Sequence, residues 1–98
     1  MFTNLDPVLH NQLRLAVMNV LMNGEEGTFT FIREKTGASA GNLSIQINKL
    51  KAAGYVEVKK HFRENYPQTI CKINAKGIKA FKEYELALQS YFKPKEPY

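Results

Sequence analysis

The stretch that most restricts the fold is residues 31–53, where two helical segments stand too close in sequence to be anything but neighbours in space. Thr30 is a candidate N-cap, and the helix it opens runs through Ile32-Arg33-Glu34-Lys35 until Gly37 ends it. Two residues later Ser39 offers the next N-cap, with a longer helix continuing to Ala53 and stopping at Gly54. Leu43, Ile47 and Leu50 fall at i, i+4 and i+7 of that helix and form one buried stripe. A short helix, a turn containing glycine and a longer helix have helix-turn-helix dimensions.

The flanks complete the arrangement. Asp6 is a good N-cap and Pro7 suits a first helical position, so a first helix is predicted with Leu9, Leu13, Ala16, Val17, Val20 and Leu21 on its apolar face. Asn23-Gly24 stops it, Glu25-Glu26-Gly27 reads as a loop, and Thr28 to Phe31 as a very short strand. After Gly54 the period changes to alternation in Tyr55 to Phe62, with Val56 and Val58 on one face. Arg63 to Pro67 reads as a polar turn, and Gln68 to Ile73 as a returning antiparallel strand. Asn74 then caps a last helix from Ala75 to about Phe92. Residues 1–92 are expected to form one domain, and residues 93–98, with two prolines, a frayed tail. The fold class is mainly α with a small β-hairpin (α+β), in the order α-(β)-α-α-β-β-α.

A helix-turn-helix followed by a two-stranded wing is a winged helix-turn-helix. The stretch Gly37-Ala38-Ser39-Ala40-Gly41-Asn42-Leu43-Ser44, continuing through Lys49-Leu50-Lys51-Ala52-Ala53-Gly54-Tyr55-Val56, resembles small stand-alone winged-helix transcriptional regulators of the MarR/ArsR type. The run from Leu50 to Val56 is similar to their junction between recognition helix and wing, and the segment from Asn65 to Gly77 to their second wing strand and last helix. The resemblance spans about residues 5–92. It implies double-stranded DNA as partner, a homodimer paired through terminal helices, and a basic wing tip on the minor groove or flanking phosphates.

Charge distribution points the same way. The chain carries 14 Lys and Arg against 9 Asp and Glu, a net charge of +5. Residues 1–48 hold three basic and four acidic side chains, residues 49–98 eleven and five, so the first half is −1 and the second +6. A lopsided basic domain suits a polyanion. With 44% hydrophobic residues, the 98-residue chain has enough apolar content for one modest core without metal or disulfide staples. The single cysteine, Cys71, excludes an internal disulfide framework, and its free thiol fits a reducing, cytoplasmic setting. The start Met-Phe-Thr-Asn-Leu-Asp lacks the pattern of a secretory signal, and no apolar run is long enough for a membrane span.

With Leu43, Ile47 and Leu50 inward and about 100° per residue, the outer face of the third helix presents Gly41, Asn42, Ile45, Asn48 and Lys49, with Ser44 on the flank. Amides bond adenine edges, Ile45 suits a thymine methyl, and Gly41 permits close approach. The N-terminus at Ser39-Ala40 has free N–H groups for a phosphate. At the wing, Lys59, Lys60, His61 and Arg63 cluster, and the expected DNA contacts there are Lys60, His61, Arg63 and Asn65. Arg63 is assigned the tip role that the resemblance implies, although Glu64 stands beside it. Leu5, Val8 and Leu9 near the start, with Phe81, Tyr84, Leu88, Tyr91 and Phe92 near the end, are the expected dimer surface.

Catalysis has little support. Asp6 is committed to capping, and His10 beside it reads as surface hydrogen bonding. His61 and Cys71 are two potential ligands where a zinc site needs at least three. Cys71 is expected on the buried face with Ile73. No cofactor, metal or catalytic residue is expected, and no effector is legible. The alternative function is a winged-helix module that docks another protein without binding DNA.

Overall fold

Each of the four helices begins on a side-chain oxygen that accepts the N–H three residues on. The computed structural model describes residues 2–92. Asn11 accepts from Arg14 to open α1 (Gln12–Gly24), and Thr28 from Phe31 to open α2 (Phe29–Thr36). Ser39 accepts from Asn42 to open α3 (Ala40–Ala52), and Asn74 from Gly77 to open α4 (Ala75–Gln89). Such caps are each worth about 1 kcal/mol. Three strands lie between the helices: β1 (Glu26–Thr28), β2 (Val56–Arg63) and β3 (Tyr66–Ile73). They form one antiparallel sheet in the order β1-β3-β2. The winged helix-turn-helix order expected from the sequence is the observed one, with the short strand realised as β1.

Ser39 and Asn74 cap where expected; the other two starts move. Asp6 caps a single turn, its Oδ1 accepting the Val8 N–H at 2.8 Å and its carbonyl the His10 N–H at 2.8 Å. The chain then runs extended at Asn11, which restarts the helix five residues later than expected. The detour drops Leu9 into the core. Thr28 replaces Thr30 as the cap of α2, because residues 26–28 are drawn into the sheet instead of forming a loop. Their pairing places Glu26 opposite Lys72, which has Glu57 on its other side, so one lysine lies between two acidic neighbours.

The wing is tighter than the sequence suggested. Arg63 pairs with Tyr66 and Phe62 with Pro67, leaving Glu64 and Asn65 as a two-residue turn. Both have positive φ, 51° and 69°, which matches the twist of the flanking strands. Pro67 fits a strand here because its nitrogen points away from β2, and β1 pairs only with residues 70–72. The last helix ends at Gln89 with Ser90 as its cap, short of Phe92. The expected tail at 93–98 lies outside the described residues.

One core holds these pieces together. Val17, Met18 and Leu21 of α1 meet Ile32, the α3 stripe Leu43, Ile47 and Leu50, and Val56, Cys71 and Ile73 of the sheet. Cys71 sits on that buried face with Ile73, as its alternation implied. Gly37 ends α2 in the left-handed conformation, φ 72°, and makes the turn that angles α3 across α2. Gly77 in α4 permits close approach instead: a Cβ there would lie 2.2 Å from the Tyr55 carbonyl oxygen at the base of the wing.

Candidate nucleic-acid interface

The α3 stripe fixes which side chains face outward. With Leu43, Ile47 and Leu50 buried, Ser39, Ala40, Gly41, Asn42, Ser44, Ile45, Asn48 and Lys49 are all solvent-exposed. Ile45 is 55% exposed near the middle of that face, an apolar side chain among polar ones. The Ser39 hydroxyl is engaged as a cap, accepting the Asn42 N–H at 3.2 Å.

The two flanks of α3 differ. Towards the wing, Ser44 and Asn48 line a groove of about 340 Å³ whose far wall is Lys60 and Thr69, with Phe29, Ile47 and Val58 as floor. Towards α1, Asn42 and Gln46 face a polar groove with Asn11, Gln12 and Thr36. There Gln46 Nε2 donates to Asn42 Oδ1 at 3.0 Å, and Arg14 donates to Gln46 Oε1 at 2.5 Å. Arg14 Nε also donates to the Val8 carbonyl at 2.5 Å. A chain of hydrogen bonds thus runs from the N-terminal turn through α1 to Asn42. It holds that amide in one orientation while leaving its NH2 free to donate. Sequence reasoning missed Arg14 and Gln46. The signal was the i, i+4 spacing of Asn42 and Gln46, a pair that bonds on a helix face.

The ladder sorts the wing residues onto two faces. Cross-strand partners share a face, so Lys60–Thr69 and Phe62–Pro67 continue the side of Val58–Cys71, which packs on the core. His61 and Arg63 lie on the opposite side with Gln68 and Tyr66, and Asn65 is in the turn. The structure therefore brings Lys60 together with the outer face of α3 and separates His61 and Arg63 from it. Lys60, His61, Arg63 and Asn65 are all exposed. At the junction, Lys76 donates to the Ala53 carbonyl at 3.0 Å, placing a cation at the C-terminal end of α3. Tyr55 fixes the base of the wing by donating to Asp6 Oδ2 at 2.5 Å, and that bond, with burial, pushes its phenol up to about 12.

The expected dimer surface is partly reassigned. Leu9 is fully buried inside the chain, and Tyr84 is 5% exposed with its hydroxyl 3.0 Å from His10 Nδ1. Neither is free to meet a second copy, because the N-terminal turn folds back over α4. His10 accordingly bonds Tyr84, with Asp6 occupied elsewhere. Leu5, Val8, Phe81 and Leu88 are half-buried against the core. Tyr91 and Phe92 are exposed, as are two residues outside the expected set: Leu86, and Phe2, whose ring stacks on Tyr91 at 4.8 Å. Leu15, Val20, Phe81 and Leu88 line an apolar groove of about 490 Å³ between α1 and α4. Among the described residues no three His, Cys, Asp or Glu side chains gather where a metal would be held, and no helix is long and apolar enough to cross a membrane.

A three-helix scaffold, a wing, and a polar helix face running into that wing define a winged-helix protein of the kind that contacts duplex DNA. The chain belongs to the winged helix DNA-binding domain family, whose model matches residues 13–92. It is similar to the uncharacterized protein MJ0432 of Methanocaldococcus jannaschii, 34% identical over 77 residues, covering 79% of this chain and 84% of that one. Among solved structures it is similar to a transcriptional regulator homologue from Pyrococcus horikoshii OT3, with TM-score 0.81, 26% identity, and 87% and 84% of the two chains covered. Diamide-treated YodB from B. subtilis shares the fold at TM-score 0.70 and 22% identity, with 89% and 88% covered. The resemblance drawn from the residues of the turn and wing is thus to the right group.

Proposed function

We propose that the protein is a homodimeric transcriptional regulator that binds double-stranded DNA, with α3 in the major groove and the wing on the adjacent backbone or minor groove. The observation that carries this reading is the continuity of the outer face of α3 with the inner face of the wing. Gly41, Ile45 and Asn48 lead across the groove at Ser44 to Lys60 and Thr69 without an acidic side chain among its lining residues. Asn48 and Lys49 suit base edges and phosphate respectively, and Ile45 a thymine methyl. Pairing of two copies is supported by Leu86 at 68% and Phe92 at 77% exposure near the end of α4, beside the Phe2–Tyr91 stack. A dimer sets two reading helices at a fixed spacing. It acts as a repressor by occupying its site, which needs no surface beyond these. DNA as partner also fits a cytoplasmic protein with a free thiol.

The test is fluorescence anisotropy with pooled genomic duplexes at two salt concentrations. Lys49, Lys51, Lys59, Lys60 and Arg63 from each of two copies provide enough cations that affinity should fall about 10³- to 10⁵-fold between about 50 and 200 mM salt. Salt-insensitive binding, or none, refutes the proposal and leaves protein docking as the reading. Asn42→Ala with Lys49→Ala should weaken selected over random duplexes without changing the melting temperature; unchanged selectivity removes α3 as the reader.

A further inference from the structure

The wing ends in two aromatic rings that the core does not use. Phe62 is 77% exposed and Tyr66 74%, on either side of a two-residue turn. They are presented by a hydrogen-bonded ladder, so the backbone that carries them is already ordered. Phe62 is paired with Pro67 across that ladder and lies on the face that carries Lys60 and Thr69, one step further from the core. Lys60 and Thr69 in turn wall the groove against Ser44 and Asn48 of α3. The apolar pair therefore extends the reading surface outward, beyond the last residue that touches α3.

Two considerations choose its occupant. The first is charge: Phe62 shares its face with Lys60, and Tyr66 shares the other face with Lys59, His61 and Arg63, with Glu64 as the acidic neighbour at the turn. That setting suits a polyanion with an apolar interior better than an apolar protein groove. The second is reach. From Val58, the last half-buried residue of β2, to Phe62 the strand extends about 14 Å at about 3.4 Å per residue, before the length of the ring is added. With the side chain that approaches about 17 Å, half of the roughly 34 Å helical repeat of DNA and the axial distance from a major groove to the neighbouring minor groove.

We infer that Phe62, backed by Pro67, is an apolar wedge that enters the minor groove beside the major groove occupied by α3 and parts a base step there. The inference deepens the DNA-binding reading and rests on it. Apolar side chains at such positions unstack a step and bend the duplex towards the major groove. Pyrimidine–purine steps such as TA open most easily, so the wedge selects sequence at a position whose base edges no side chain of α3 reaches.

The experiment uses the full chain and duplexes that it selects from a random-sequence pool, with 2-aminopurine placed at successive steps outside the α3 site. Unstacking raises the fluorescence of that base, and donor and acceptor dyes at the duplex ends report bending. The wild-type protein should raise the signal at one flanking step and shorten the end-to-end distance. Phe62→Ala should lose both and weaken binding about 5- to 150-fold, the range for removal of an aromatic side chain from a base, while keeping its melting temperature. Phe62→Leu should keep part of the signal, and Tyr66→Ala all of it. Wild-type binding without unstacking, or Phe62→Ala retaining unstacking and bend, overturns the wedge and leaves DNA binding standing. Absence of binding to any duplex overturns both.

Discussion

Two helical glycines of this protein should respond to alanine in opposite directions, and the contrast tests both the packing and the reading face. On propensity alone each Gly→Ala change stabilises a helix by about 1 kcal/mol. At Gly77 the added methyl would lie 2.2 Å from the Tyr55 carbonyl oxygen and 2.9 Å from Ile73 Cγ1. An ordinary carbon–oxygen contact is about 3.3 Å or more, so backbone must move by about 1 Å. That carbonyl accepts the Asn74 N–H at 3.2 Å, and Asn74 also donates to the Gly54 carbonyl at 2.8 Å, so the shift disturbs the cap of α4. Overpacking costs about 1–3 kcal/mol and each weakened hydrogen bond about 1. Net of propensity, Gly77→Ala should destabilise by about 2–4 kcal/mol, lowering the melting temperature by about 10–25 °C. At Gly41 no atom lies within 4 Å of the position a Cβ would take. Gly41→Ala should raise the melting temperature by a few degrees, about 0.5–1 kcal/mol, yet weaken DNA binding by placing a methyl on the outer face of α3. Circular dichroism melts and anisotropy titrations of both variants decide the matter. A Gly77→Ala protein melting within 2 °C of wild type, or above it, refutes the close approach. A Gly41→Ala protein that binds DNA as tightly as wild type removes that face from the interface.

Two further outcomes follow from the titratable groups. Tyr55→Phe should cost about 1 kcal/mol at pH 8, below the usual range for a bond to a carboxylate because the ring is half-exposed. The phenol of the folded chain is raised to about 12 from 10, so its contribution is complete below pH 10 and lost as pH rises through 12. Urea titrations should therefore show the gap between wild type and variant closing over that interval; a gap constant with pH contradicts the assignment. Cys71 is fully buried, and burial pushes its thiol up to about 11. Its reaction with a thiol reagent at pH 8 should be slow and should accelerate only as urea opens the fold. Fast labelling of native protein would show that the sheet face is not closed.

What could be read from the residues was whatever local chemistry decides. The turn at Gly37, the cap at Ser39 and the stripe Leu43, Ile47 and Leu50 depend on neighbours within one or two helical turns, and they stand where expected. Asp6 looked like a helix cap because Pro7 follows it, but its carboxylate is taken by the Val8 N–H and the Tyr55 hydroxyl, a partner 49 residues away. The short strand expected at Thr28 to Phe31 lies instead at Glu26–Thr28, because Glu-Gly-Thr has no apolar alternation and its pairing is supplied by β3. In the candidate interface, the exposed face of α3 was legible from its period. Arg14 as the anchor of Gln46 was not, since it required knowing how α1 crosses α3. Phe62 was read with the wing's alternation, while its exposure depends on the distal hairpin extending beyond the core.

Thr28 is both the last residue of β1, opposite Ile70, and the cap of α2. The chain cannot continue along β3 and also begin that helix, so the third strand stops at the base of the wing. Beyond it the projecting sheet is two strands wide, about 4.8 Å between strand axes, narrow enough to lie over a minor groove about 6 Å across while a single side chain enters it. A third strand would double that width and make the projection a blunt slab. The cross-section of the tip is thus decided by one hydroxyl on a distant part of the chain. A substitution that moved the start of α2 by two residues would change which grooves the protein fits without touching a contact residue.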